Sequence, residues 1–358
     1  MILFRFISKE ILTSFFAVAL TLLLIVVSNS LARYLSRAAA GLYDADVLIW
    51  IILYRIPASL EIILPLSLFL GVMLVVGRMY MESEATILFA TGTSQKQFTW
   101  WVMVPALLVT VLVGLVSFDL GPRGLREANV ILAEQSARSE IDRLAPGRFL
   151  NISGRENVVY SEAVEEGELS RVFLASLNRH GTPFVMTAPV ANEVRLDGRR
   201  YVVFRDGQRY DFSPGTSGGQ IISFESHGIL IPDREVEEEI GKLKTWSTPD
   251  LIRAGGVEHV ATLHYRLSIV LMVPIMTLLA MSLGRTNPRS GKYAKLVPGI
   301  LLFLVYLVLI SASQSAIEDE KIPTWLGMWW IHLCFLALGW WLLISPEREM
   351  KRVARAQA

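Results

Sequence analysis

The stretch Ile11 to Leu31 holds no charged side chain. At about 1.5 Å per residue, an apolar run of roughly 20 residues crosses the bilayer core as a helix. No water reaches that depth, so each backbone N–H and C=O must be satisfied internally, which leaves helices and closed barrels as the admissible shapes. Five more segments have this character: Val47 to Val76, Trp100 to Phe118, Leu267 to Leu283, Leu296 to Ile317 and Trp325 to Ile344. Six spanning helices are expected, three on each side of a long polar stretch. Ser28, Asn29 and Ser30 give the first run a cleavage-like end, but the run exceeds the core of a signal peptide and reads as a retained span.

Charge follows the same division. Of the 67 charged residues, 38 lie between Arg123 and Val260, where acidic exceed basic residues by 4. The flanks carry a basic excess of 5. Only 19% of the 358 residues are charged and mean hydropathy is +0.45, against about 25% charged in soluble domains. A net charge of +1 argues against a nucleic-acid partner. A single cysteine, Cys334, excludes an internal disulfide or a cysteine zinc cluster. The chain has no phosphate-binding loop and no serine nucleophile elbow, and His259 and His264 lie off the i,i+4 ligand spacing. It is read as non-enzymatic, with no cofactor of its own. The five histidines read as structural or interfacial.

Lys and Arg in short loops set orientation. Twelve lie at the termini and in the loops after the second, fourth and sixth spans; three (Arg33, Arg37 and Lys321) lie in the opposite loops. Both termini are expected in the cytoplasm and the polar insert outside. The expected domains are 1–122 with spans one to three, 123–262 as the exported insert, 263–345 with spans four to six, and 346–358 as a basic tail.

The insert opens at Gly121-Pro122 with a helical piece from Arg123 to Leu144, then turns β-rich. Arg148 to Ile152, Val158 to Tyr160, Val172 to Leu177, Phe184 to Ala188, Ile221 to Phe224 and Ile229 to Ile231 read as short strands. Asp197-Gly198 and Asp206-Gly207 are turn dipeptides, and they flank Arg199 to Arg205 as another strand. Many short strands at this spacing predict a sandwich or jellyroll. The acidic run Glu235 to Glu239 reads as a solvated linker or helix start.

Three features rise above this background. The cytoplasmic segment about 79–91 has good helix formers, a stop at Gly92 and a capping box at Ser94-x-x-Gln97. Glu82 and Glu84 offer carboxylates to a soluble partner, and Tyr80, Leu88 and Phe89 offer apolar anchors; the same segment also reads as a helix resting on headgroups. Arg33 and Arg37, four apart, suit an anionic lipid headgroup, or simple snorkelling to lipid phosphate. Arg123, Arg126 and Arg266 lie at the same membrane level. Arg55 and Glu61 interrupt the second span, where charges usually face a cavity or a partner. Pro57 and Pro65 can kink that span, and Glu61 reads as a polar contact to another helix or as a proton relay.

These residues together resemble the LptF/LptG permease family, the membrane subunits of the lipopolysaccharide exporter. The most specific stretches are Ile63-Leu64-Pro65-Leu66-Ser67-Leu68-Phe69-Leu70-Gly71, Tyr80-Met81-Glu82-Ser83-Glu84 and Asn287-Pro288-Arg289-Ser290-Gly291. The first two, with the opening Met1 to Phe6, are nearer to LptF than to LptG. The resemblance implies an α+β inner-membrane protein with six transmembrane helices (3+3) and a periplasmic β-jellyroll between helices 3 and 4. It implies pairing with LptG, two LptB ATPases that bind ATP and Mg, LptC contacting the fifth span and the jellyroll, and LptA beyond LptC. Lipopolysaccharide is the implied substrate. Arg33, Arg37, Arg55 and Arg266 become candidate lipid contacts, and the segment Tyr80 to Ala90 a coupling helix with Glu84 as its acidic contact. Spans one and five are implied to line the gates. The paralogous LptG subunit and a MacB- or FtsX-type mechanotransmission subunit with four spans are the rival readings, and an ion-coupled transporter using Arg55 and Glu61 is a third.

Overall fold

Long apolar runs become long helices because only intrahelical bonding satisfies their backbone in lipid. In the computed structural model the described residues are 2–39, 43–137, 147, 149–151, 158–165, 168–177, 183–196, 199–212, 219–231, 243–285 and 295–357. They form nine α-helices: α1 (Ile2–Ala39), α2 (Ala45–Met81), α3 (Glu84–Ala90), α4 (Gln95–Leu115), α5 (Gly121–Ala137), α6 (Thr248–Ala254), α7 (Val257–Leu283), α8 (Leu296–Glu318) and α9 (Trp329–Gln357). Five helical stretches are long and apolar enough to cross a membrane: α1, α2, the run Gln95–Gln135, α7 and α8. Of the sixth expected span, Trp325 to Ile344, the residues Trp329–Ile344 form a shorter apolar stretch within α9 that does not reach that length. The Asp197-Gly198 turn, the acidic run Glu235 to Glu239 and the motif Asn287 to Gly291 lie outside the described residues.

The chain divides into two compact units, one made of Met1–Ser30, Ile52–Glu127 and Gly241–Ala358, the other of Leu31–Ile51 and Ala128–Ile240. The first is helical, with a core of Ile11, Phe15, Phe69, Phe98, Met276 and Tyr306 among others. Its helices differ in what they hide. In the most apolar window, 67% of residues are buried in α2 and in α7, but only 17% in α1 and 28% in α8. A buried polar chain ties three helices together: His332 of α9 lies 2.7 Å from Tyr306 Oη of α8 and 2.9 Å from Ser268 Oγ of α7. His332 therefore has the structural role expected of the histidines.

Gly121-Pro122 does not break the third helix. A π-helical turn, Val116–Leu120, joins α4 to α5, and the Gly121 N–H donates to Val116 O. Pro122 lacks an N–H and so leaves Phe118 O without its i+4 donor. Thr248 Oγ1 supplies that bond at 2.6 Å. Three residues on, a side chain at Gly124 would sit 2.2 Å from Tyr54 O, so glycine lets the α5 backbone lie directly on α2. Pro57 and Pro65 likewise stay inside one continuous α2.

In the other unit, Tyr34 packs on Tyr43, and the Asp44 N–H donates to the Gln135 side-chain oxygen at 3.3 Å. The loop after the first span thus belongs with the polar insert. The insert forms one antiparallel sheet: β1 (Phe149–Asn151), β2 (Val158–Tyr160), β3 (Ala163–Glu165), β4 (Glu168–Leu177), β5 (Pro183–Leu196), β6 (Arg199–Phe212) and β7 (Gly219–Ile231). The order is β1-β2-β4-β5-β6-β7, with β3 also on β4.

Asp206-Gly207, expected as a turn, lies inside β6. Arg205 still faces Val190 and Ser226, and Gln208 still faces Thr187 and Ser223. The pairing lapses together at Arg171, Pro189, Asp206 and Glu225, one row across four strands. Pro189 has no N–H to give the ladder, and Arg171 and Asp206 have φ of 49° and 53°. On one side of this crease the inward residues are Val172, Leu174, Met186, Ala188 and Gly207; on the other they are Leu169, Ala191, Val202 and Phe204. Within β4, β5 and β6 the parity of the buried positions shifts by one across the row. A left-handed residue in β4 and in β6, and Pro189 in β5, mark where the alternation resets so that a single face stays buried. At Gly207 a Cβ would lie 2.5 Å from both Phe224 Cζ and Thr187 O, so the Phe224 ring covers the glycine.

Candidate functional site

The segment expected on the cytoplasmic side is built from the end of α2. That helix runs through Tyr80 to Met81, so Tyr80 belongs to the second span rather than to the short helix. Ser83, with φ 62°, turns the chain, and α3 begins at Glu84. Gly92 ends it at φ 96°, a conformation that favours glycine. The expected cap is present in part: Ser94 Oγ accepts from the Gln97 N–H at 3.2 Å.

The faces of α3 are unlike. Ala85 and Leu88 are buried, and the Phe89 ring sits 6.5 Å from Tyr80 and edge-on to Phe98 at 5.7 Å. Leu88 and Phe89, expected as anchors for a partner, here hold α3 onto α2 and α4. Ile87 is the outward apolar residue, 62% exposed. The carboxylates share one cation. Arg78 donates to Glu82 and Glu84 at 2.9 Å each, and to Glu10 of α1 at 3.2 Å. In the sequence Arg78 stands only as a loop charge; its i,i+4 spacing to Glu82 is the available signal, whereas Glu10 is 68 residues away.

The membrane charges have different fates. Ser117, in the π turn, donates to Glu61 at 2.7 Å, the interhelical polar contact expected for Glu61. Arg266, 3% exposed, donates to Thr248 Oγ1 and Trp246 O at 2.8 Å each and to Lys244 O at 3.3 Å. Thr248 is the residue that satisfies Phe118 O. Arg266 thus pins the chain's return from the polar insert to the π turn. Arg55 is half-buried on α2, and its carbonyl accepts from Ser59. Arg123 is ion-paired to Asp119 at 2.7 Å.

Arg33 and Arg37 lie one turn apart near the C-terminal end of α1, both exposed. The Arg37 guanidinium stands 6.0 Å from the Tyr34 ring centroid. They belong to the sheet-containing unit, Arg55 and Arg266 to the helical one. Both α1 and α8 present apolar rows outward: Phe16, Leu20 and Leu24 on α1, and Leu301, Val305 and Val308 on α8. On the other unit, His227 packs on Phe224 at 5.3 Å. Burial, then the nearby Arg209 charge, hold its imidazole below the ordinary histidine range.

Residues 5–345 match the family model described as lipopolysaccharide export system permease LptF/LptG. The chain belongs to this family. It is 29% identical over 348 residues to the lipopolysaccharide export system permease protein LptF of Escherichia coli K12, covering 95% of this chain and 93% of that one. The LptG proteins of Escherichia coli K12 and Haemophilus influenzae are 25% and 22% identical, over 97% and 96% of this chain and 99% and 98% of theirs. The LptF/LptG family fits an α+β membrane protein with several spanning helices and an antiparallel sheet. The higher identity to LptF agrees with the motif at Ile63 to Gly71.

Proposed function

We propose that this chain is the LptF-type permease subunit of a lipopolysaccharide exporter in the inner membrane. The observation that carries the reading is a family match along nearly the whole chain joined to the turn and short helix after α2, where Glu82 and Ile87 are exposed and Glu84 is half-buried. The lower identity to the LptG proteins makes the paralogous assignment the weaker one.

In this reading six spans place both termini in the cytoplasm and the sheet in the periplasm as the family's jellyroll. The chain pairs with an LptG-type subunit above two LptB-type ATPases, which bind ATP and Mg. Extracting a lipid is costly, about 0.8 kcal/mol for each methylene that meets water. That work comes from the ATPases, and this chain supplies a surface to receive it and an apolar wall to spare the acyl chains from water. Glu84 and Glu82 meet cations on the ATPase, since a carboxylate already bonded to Arg78 still accepts further donors. Leu88, Phe89 and Tyr80 serve that contact from beneath. The exposed rows on α1 and α8 form the wall, and Arg33 and Arg37 take the headgroup phosphates. Arg55 sits closer to the acyl region, while Arg266 acts on the substrate path by holding the return segment in place. Lipid then passes along the periplasmic sheet to LptC and LptA.

Affinity purification of the full chain in mild detergent tests the assignment. The expected result is co-purification of an LptG-type permease, an LptB-type ATPase and bound lipopolysaccharide. A native preparation holding neither ATPase nor glycolipid overturns it.

A further inference from the structure

The short helix α3 has seven residues, below the length at which a helix is stable alone. Its direction must come from what grips it. Leu88 and Phe89 grip one side. On the other, the Arg78 guanidinium reaches α3 at Glu84 and α1 at Glu10 with different terminal nitrogens: Nη1 donates to Glu84 and Glu82, Nη2 to Glu10. An arginine fork is planar, so carboxylates on its two arms are held at a set mutual angle. Five residues beyond Glu10, the backbones of α1 and α2 touch: a side chain at Gly71 would lie 3.0 Å from Phe15 N. The cytoplasmic end of α1 is therefore pivoted at Phe15 and tied at Glu10.

We propose that Arg78 is a positioning residue that transmits displacement of α3 to the first span through Glu10. A pull on Glu84 is felt at Nη1, and the rigid fork passes it to Nη2 and to α1 below its pivot. Glu82, on the same nitrogen as Glu84, keeps the guanidinium in place when an incoming cation draws on Glu84. The inference rests on the ATPase-docking reading above. It predicts that the carboxylate on α1, which is off the docking face of α3, is needed for coupling and not for docking.

The test uses the whole transporter in proteoliposomes, measuring ATPase association, ATP hydrolysis and lipopolysaccharide released per ATP. Glu10→Gln is expected to leave association and hydrolysis near wild type while release per ATP falls about five- to tenfold, the size of a typical coupling. Arg78→Gln is expected to lower the same ratio, and Arg78→Lys to recover part of it, because a point charge holds two carboxylates without fixing their angle. The proposal is overturned if the ratio is unchanged in Glu10→Gln, or if the variants lose only folded complex with the ratio intact. Loss of ATPase association in Arg78→Gln with no effect of Glu10→Gln also overturns it, by making Arg78 a docking residue. If no ATPase joins the wild-type chain, the functional reading itself has failed.

Discussion

A buried arginine that donates to a threonine hydroxyl and two backbone carbonyls of one short segment holds that segment in place, and Arg266 does so. Removing it exposes Thr248 Oγ1 and two carbonyls to an apolar surrounding, and a buried polar group left unmatched costs about 1–3 kcal/mol. Arg266→Met should lower thermal stability in detergent by about 2–4 kcal/mol, read as earlier loss of helical circular dichroism. Arg33 and Arg37 are the opposite case, exposed and at a helix end. Replacing both with Glu should reduce photocrosslinking of lipopolysaccharide to α1 by about tenfold or more. His227 gives a pH signature. Its folded-state affinity for a proton is below the ordinary value of 6.5, so the unfolded chain binds protons more readily and stability falls as pH drops through that value. The melting temperature should fall more from pH 7.5 to pH 5.5 in the wild type than in His227→Gln, both about one unit from that pKa.

At the scale of elements, the apolar helices were legible because their signal is length without charge, and that signal needs no knowledge of neighbours. The strands were legible only as fragments. Val172 to Leu177, Phe184 to Ala188, Arg199 to Arg205 and Ile221 to Phe224 each stop at or beside the row Arg171, Pro189, Asp206 and Glu225. Alternation slips by one there, and a slip within one strand looks like a turn until the adjacent strands are seen to slip together. Gly121-Pro122 misled for a related reason: the bond that repairs Phe118 O comes from Thr248, 130 residues away. Two substitutions test these elements. Gly207→Val should destabilise the sheet by about 1–3 kcal/mol, since its side chain meets backbone as well as the Phe224 ring. Gly124→Ala should do at least as much to the helical unit, because the obstacle is the Tyr54 carbonyl and cannot rotate away. Denaturant unfolding followed by circular dichroism measures both.

At the scale of the whole molecule, the division into apolar flanks and a polar insert came from counting charges. Chain partition did not: Leu31–Ile51 groups with the insert, and the return segment from Gly241 onward groups with the helices. Contacts between residues far apart in sequence decide such boundaries, as between Asp44 and Gln135, or Arg266 and Trp246. Of the proposed site, Glu84 and the arginines on α1 stood out as charges in unusual places, whereas Ile87 gained its importance only once Leu88 turned inward. Among the described residues β7 is the edge strand, and it carries the same lapse at Glu225 as its neighbours. A straight foreign strand laid along that edge can zip only as far as Glu225 before its side chains fall out of phase with the rows beside it. Any sheet that continues this one past β7 must carry a matching dislocation, so the fold-line acts as a key cut into the rim, admitting strands with one misplaced residue and stopping those that run true.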